Sequence, residues 1–367
     1  MPSKSEASPR AVQSSEVGAK VHSRVRHSAP TMRDVGRVAG VSQSVVSRVL
    51  NDAPGDVRIP QHTRERVRLA ARKLGYRPNP LARGLRGAQT MLIGTVVSDI
   101  TDPFFTVAIE ALSVASISQG YNLVLGHAHD RLDEARTMTS VLETRHCDAI
   151  VLLGDIQDQP RLFADLAESV VPLVGLLQGS SGTDMPLVGV DNQTGMTAAL
   201  KHLAELGHTR IGLVSGHRTG DIDERHAAFL DFMRDRYGGT PDGFVQFGSN
   251  TPAGGDSAAR ALLSQAQRPT AIMCTNDTMA IGVIHAAHAL GMNVPNDLSV
   301  HGFDDMALAG HLVPELTTVK IPIESIATEG IRRAIALATG QVIAPSERVC
   351  LFEPTLIVRE STAAPSL

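Results

Sequence analysis

The stretch Thr31–Leu50, TMRDVGRVAGVSQSVVSRVL, leaves few folds open. Its apolar residues recur at helical spacing in two short blocks, Val35, Val38 and Ala39, then Val45, Val46 and Val49. Between them stands Ala39-Gly40-Val41-Ser42, in which Gly40 accepts the backbone angles of a tight turn and Ser42 is a good N-cap. A third amphipathic block, Gln61–Leu74, offers Val67, Ala70, Ala71 and Leu74 as its core face. One short helix packed across another leaves the polar side of the second free to enter a DNA major groove. Gln43, Ser44, Ser47 and Arg48 lie on that side. Alone, the window also fits two surface helices of an α domain.

The charge distribution favours the first reading. Residues 1–90 hold 17 Lys and Arg against 6 Asp and Glu, whereas the remainder holds 17 against 32. A basic head on an acidic body suits a protein that grips phosphates with one end. Residues 1–30 are rich in Ser, Ala, Arg and Pro without apolar periodicity, and read as a disordered basic tail. No apolar run is long enough to span a bilayer and no signal-peptide core follows Met1, which points to the cytoplasm. Cys147, Cys274 and Cys350 are too scattered for a disulfide framework or a metal cluster.

From Met91 onward short apolar runs alternate with amphipathic segments. Expected strands are Leu92–Val97, Asn122–Gly126, Ala149–Leu153, Leu173–Leu177, Ile211–Val214, Ala271–Cys274 and Ser299–Phe303. Expected helices lie near Phe104–Gln119, Asp133–Arg145, Gln193–Leu206, Asp223–Tyr237, Gly255–Ala266 and Thr278–Leu290. Such alternation implies parallel sheets covered on both faces. Two such halves, with crossovers near residue 190 and at 310–320, would form a clamshell that binds ligands at the strands' carboxyl ends.

Several possible sites carry little weight. His127 and His129, and His285 and His288, lack further ligands at metal-binding spacing. The Gly248–Gly255 run lacks a Walker lysine and dinucleotide glycine spacing, and no Gly-x-Ser-x-Gly elbow supplies a nucleophile. The sequence therefore indicates no catalytic residues, no metal and no cofactor.

Between head and body the chain reads Leu74-Gly75-Tyr76-Arg77-Pro78-Asn79, then Leu81-Ala82-Arg83-Gly84-Leu85-Arg86. With Val46-Ser47-Arg48-Val49-Leu50-Asn51, Asp102-Pro103-Phe104-Phe105, Gly207-His208, Asn276-Asp277, Gly302-Phe303-Asp304-Asp305 and Leu316-Thr317-Thr318, these residues carry a family likeness. From about Thr31 to its end, the chain resembles bacterial transcription regulators of the lactose-repressor (LacI/GalR) family. The resemblance implies an N-terminal all-α helix-turn-helix head (31–77), a hinge helix and linker (78–90), and an effector-binding and dimerisation domain (91–367). That domain would be an α/β periplasmic-binding-protein-like clamshell of two doubly wound parallel-sheet subdomains.

The same resemblance implies a sequence-specific DNA-binding repressor, a homodimer on a palindromic operator, under allosteric control by a small-molecule effector. Gln43, Ser44 and Arg48 would read bases, and Ser47 and Asn51 would touch phosphates. Leu85, beside Arg86, would wedge into the minor groove at the operator's centre. Gly84 departs from the family and weakens the hinge helix, and Val45 stands where the family carries a threonine. Asp99, Phe104, Phe105, Arg225, Asn250 and Asp277 would line the effector cleft. Asp277 also fits a helix cap, and Phe104 plain core. Leu176 stands where purine-binding relatives carry a carboxylate, and Asn250 where they carry an aromatic, which tilts the effector toward a sugar-like metabolite. No leucine-heptad tail follows Val358, which argues against tetramers built through one. Two other classes share the scaffold. A sugar-transport receptor needs an export signal, and an enzyme needs a reactive constellation at the cleft.

Overall fold

The computed structural model describes residues 30–50, 59–76, 89–144, 146–156, 161–162, 164, 169–179, 185–217 and 220–366. The chain divides into two compact units, Met1–Asn79 and Pro80–Leu367. The expected tail, the hinge helix and most of the loop after Leu50 lie outside the described residues.

The first unit is three helices, α1 (Met32–Ala39), α2 (Gln43–Leu50) and α3 (Gln61–Leu74). Thr31 and Asp34 form a reciprocal capping box at the start of α1: the Asp34 amide donates to Thr31 Oγ1 and the Thr31 amide to Asp34 Oδ2. These bonds hold the Asp34 carboxyl below its usual range. Gly40 ends α1 at φ 65°, a conformation that favours glycine. Val35, Val46, Val49 and Val67 are fully buried together with Met32, Ala39, Ala70 and Ala71. Val38 corrects the expected stripe, being 51% exposed. The buried line is Met32, Val35, Gly36 and Ala39, and Val38 falls on its flank at 100° per residue.

The second unit is two parallel sheets. One is built from β1 (Leu92–Val97), β2 (Asn122–His127), β3 (Ala149–Leu153), β4 (Leu173–Leu176), β5 (Leu187–Val190) and β11 (Val349–Phe352). Its strand order is β11-β5-β4-β3-β1-β2, all parallel. The other, from β6 (Ile211–Ser215), β7 (Val245–Phe247), β8 (Ala271–Cys274) and β9 (Ser299–His301), runs β7-β6-β8-β9, also parallel. Helices α4 (Pro103–Ser118) and α5 (Leu132–Thr144) serve the first sheet. Helices α6 (Asn192–Glu205), α7 (Gly220–Tyr237), α8 (Pro252–Leu263) and α9 (Asp277–Ala289) serve the second. Buried runs such as Ala149–Leu153 and Ile211–Ser215 are the near-continuous apolar strands that a sheet covered on both faces requires.

The chain crosses between the subdomains three times, not two. It leaves the first sheet after β5, returns after β10 (Thr318–Lys320), and crosses again between β11 and β12 (Thr355–Ile357). Strands β10 and β12 form a separate antiparallel pair beside the crossings. Helix α10 (Ile323–Ala338) packs on α4 and on β3, β4 and β5, burying Ile323, Ile326, Ala327 and Ile331. After β12 the chain rejoins the second subdomain, where the Val300 amide donates to the Ser361 carbonyl. The unexpected strands β5, β7, β10, β11 and β12 hold three or four residues each, too few for a period to stand out. No helix among the described residues is long and apolar enough to cross a membrane.

Candidate functional site

Two surfaces qualify, one in each unit. In the first, Ser42 Oγ accepts from the Val45 amide at 3.4 Å and lies 2.8 Å from Ser44 Oγ, which fixes the entry to α2. Val46 and Val49 lock one side of the helix into the core. Gln43, Ser44 and Arg48 are left exposed and Ser47 half-buried on the other. This row has the donors and acceptors for base edges and phosphates. Asn51, Leu85 and Arg86 lie outside the described residues.

In the second unit a cavity of about 270 Å³ opens between the subdomains at the strands' carboxyl ends. Asp99, Phe104 and Phe105 line it from the loop after β1 and the start of α4. The two phenyl rings meet edge to face, 5.5 Å between centroids. Asp99 Oδ1 accepts from the Thr101 amide and hydroxyl at 2.8 and 2.7 Å. Asp102 caps α4 through the Phe104 amide, and burial raises its carboxyl above the usual range.

Arg225 is the cavity's organising cation. It is 4% exposed, and its Nε donates to Asn192 Oδ1 at 2.8 Å. Its Nη1 donates to the Thr275 carbonyl at 2.7 Å and to Asp304 Oδ1 at 3.0 Å, and the guanidinium carbon lies 3.8 Å from the centroid of the Phe303 ring. Asn192 Nδ2 in turn donates to Asp221 and Glu224. Burial pushes Asp221 up to about 6 against the pull of Arg225, and it drives Asp304 well above the carboxylate range. Asn250 also lines the cavity, and its buried Oδ1 has no partner among the described residues.

Asp277 is the exception among the expected cleft residues. Fully buried, it accepts from the Met306 amide at 2.8 Å and the Thr318 hydroxyl at 2.6 Å, away from the cavity lining. Burial raises its carboxyl to about 7. Its neighbour Asn276 caps α9 and lines the cavity instead, as does Asp304. Asp102, Asn276 and Asp304 all stood within motifs visible in the sequence, but nothing there distinguished which residue of each motif turns inward. Asp155, Asp221 and His217 also line the cavity and carried no sequence signal.

One rim of the cleft is pinned shut. Asp155, after β3, accepts from the Gly179 amide at 3.3 Å and from the Asp221 amide at the start of α7 at 2.9 Å, so one carboxylate ties the two subdomains. A Cβ on Gly179 would stand 2.5 Å from Gly220 Cα, so the two backbones touch where any side chain would separate them. Gly179→Ala is therefore expected to hold the cleft open. Small-angle scattering should report a larger radius of gyration than for the parent, and an unchanged radius would refute the contact.

The comparisons with known proteins fit both surfaces. Residues 31–79 match the model for bacterial regulatory proteins of the lacI family, and residues 200–362 match a periplasmic binding protein-like domain. The HTH-type transcriptional regulator GalR of Escherichia coli K12 is 33% identical over 92% of this chain and 97% of its own. The chain belongs to the lacI family. This lacI-family protein is a DNA-binding transcriptional regulator, as those relatives are. Its fold aligns with the Lac repressor dimer bound to operator and the anti-inducer ONPF, at TM-score 0.82 and 27% identity, covering 91% of this chain and 99% of that one. It also aligns with the transcriptional regulator CelR–cellobiose complex, at TM-score 0.67 and 29% identity, covering 90% and 99%.

Proposed function

We propose that this lacI-family regulator is a repressor without enzymatic activity. It binds a palindromic operator as a homodimer in the cytoplasm, and a small sugar-like effector in the cleft sets its operator affinity. The observation that carries the reading is the exposed polar row of α2 on a helix held by Val46 and Val49. Gln43, Ser44 and Arg48 read base edges, while Ser47 and Asn51 contact phosphate. Leu85 and Arg86 serve the operator's centre. Asp99, Phe104, Phe105, Arg225 and Asn250 receive the effector: the carboxylates accept from hydroxyls, the guanidinium donates, and the phenyl face packs on a ring. The cellobiose and operator complexes of the structural relatives support a sugar and a DNA duplex as the respective ligands. Effector binding shifts the closure equilibrium of the clamshell by its differential affinity for the two states.

Arg48→Ala tests the head. Selected operator fragments should bind about 1–3 kcal/mol more weakly, with binding to random duplex little changed. Equal affinity of variant and parent for the operator would sink the assignment of α2.

A further inference from the structure

Acidic side chains far outnumber basic ones in the cleft. Asp99, Asp102, Asp130, Asp155, Asp221 and Asp304 line it, against Arg225 and His217. Arg225 is already paired with Asp304 at 3.0 Å. Both oxygens of Asp155 are occupied, by the amides of Gly179 and Asp221, and Oδ1 of Asp99 by Thr101. Four of these carboxylates keep an oxygen in reserve, since Asp99 and Asp221 also accept through Oδ1 alone among the described residues, and Asp102 and Asp304 are the pair that face each other across the cleft. Asp102 Oδ1 accepts from the Phe104 amide and Asp304 Oδ1 accepts from Arg225 Nη1, and among the described residues neither Oδ2 has a partner. Asp304 is 9% exposed, so this open acceptor belongs to a side chain otherwise sealed in the protein. The two residues come from opposite subdomains, and each carboxylate stands within the field of Arg225.

Carboxylates so crowded repel one another. Burial does most to raise both Asp102 and Asp304, and neighbouring acids add to it, Asp99 at Asp102 and then Asp277 and Asp102 at Asp304. A neutral hydroxyl relieves little of this, because it brings a dipole and no charge. An ammonium brings three donors and the missing positive charge, and in a site screened from water such charge-assisted bonds are the strong ones. A phosphate or carboxylate entering the same place meets unscreened repulsion. Acceptors on the ligand have the Arg225 guanidinium, and donors have Asn250 Oδ1, which has no partner among the described residues.

Given the effector-cleft reading above, we propose that the cleft takes a cationic polyol. A protonated amine sits between Asp102 and Asp304, hydroxyls reach Arg225 and Asn250, and phosphorylated or carboxylated sugars are excluded.

The test is calorimetric titration of the full-length protein at pH 7. The panel presents glucose, galactose and mannose each as the hexose, the 2-amino-2-deoxyhexose and the 6-phosphate. At least one amino sugar should bind about tenfold or more tighter than its hexose, equivalent to about 1.4 kcal/mol, and no phosphate should bind. Asp102→Asn should bring that ratio close to one; asparagine keeps the cap on α4, so folding is preserved. An amino sugar that binds no better than its hexose, binding of a 6-phosphate, or no binding by any amino sugar overturns the proposal. Operator binding is measured on the same preparation without sugar. If it is intact while the amine preference is missing, only the present inference fails; if it is missing, the regulator reading fails with it.

Discussion

Replacing Arg225 with alanine should cost about 3–5 kcal/mol of stability, a large part of the 5–15 kcal/mol by which a typical domain is folded. The side chain is 5% exposed and gathers Asn192, the Thr275 carbonyl and Asp304, which come from the first crossover, the end of β8 and the loop after β9. Truncation strands Asp304 without its cation and leaves the Asn192 and Thr275 oxygens short of a donor. Buried polar groups cost most when one partner is deleted and the other stays.

A pair of controls separates this from mere loss of packing. Arg225→Met keeps much of the volume and should still be strongly destabilised. Adding Asp304→Asn removes the stranded charge and should recover part of the loss, because a neutral pair needs no counter-ion. Asparagine also tolerates the φ of 116° at position 304 better than a branched or bulky residue would. Urea unfolding of the three proteins provides the measurement. A single variant within about 0.5 kcal/mol of the parent, the usual range for surface substitutions, would mean that Arg225 is no clamp.

The parts of the molecule legible in sequence were those in which one side chain's environment follows from its spacing. Ala149–Leu153 and Ala271–Cys274 form strands at their expected limits because runs of buried apolar residues have one physical use in a covered parallel sheet. Helix α2 was equally plain. The six expected helices moved by at most three residues at either end, as fraying ends and capping residues decide them. Helix α10 lies outside the expected set although Ile323, Ile326, Ala327 and Ile331 keep helical spacing. The cleft was harder. Asp277 and Asn276 are neighbours, and the helix start points one inward and the other into the body. Asp304 reaches the cavity through a backbone at positive φ that no pattern announces. Arg225 was expected at the cleft, yet its buried partners come from residues 33, 50 and 79 positions away, a separation that local spacing cannot encode.

Acid should weaken the second unit through its histidines, and His301 should carry the largest share. It is fully buried, its Nδ1 lies 2.8 Å from the Gly302 carbonyl and its Nε2 has no partner among the described residues. Burial lowers it to about 3, and it lowers His208 and His202 as well. His208 Nδ1 meets Thr270, its Nε2 meets Ser299 and the Ala363 carbonyl, and His202 Nε2 meets Thr362, so these two rings help tie the end of the chain to the second sheet. Below pH 6.5 the unfolded chain takes up a proton at position 301 that the folded protein refuses. The stability is present above 6.5 and is lost as pH falls toward 3, at about 1.4 kcal/mol per pH unit. Between pH 6.5 and 4.5 the loss from this residue is on the order of 2–3 kcal/mol. Asp221 and Asp277 act in the opposite sense: raised to about 6 and 7, they favour the folded state in acid and lose that contribution as pH rises through those values. The parent's profile mixes both, so the informative quantity is the difference between parent and His301→Leu, measured by urea unfolding from pH 7.5 to 4.5. That difference should move in favour of the leucine variant as pH falls, since leucine has no proton to refuse. A difference independent of pH would show that His301 is protonated in the folded protein as easily as in the unfolded chain.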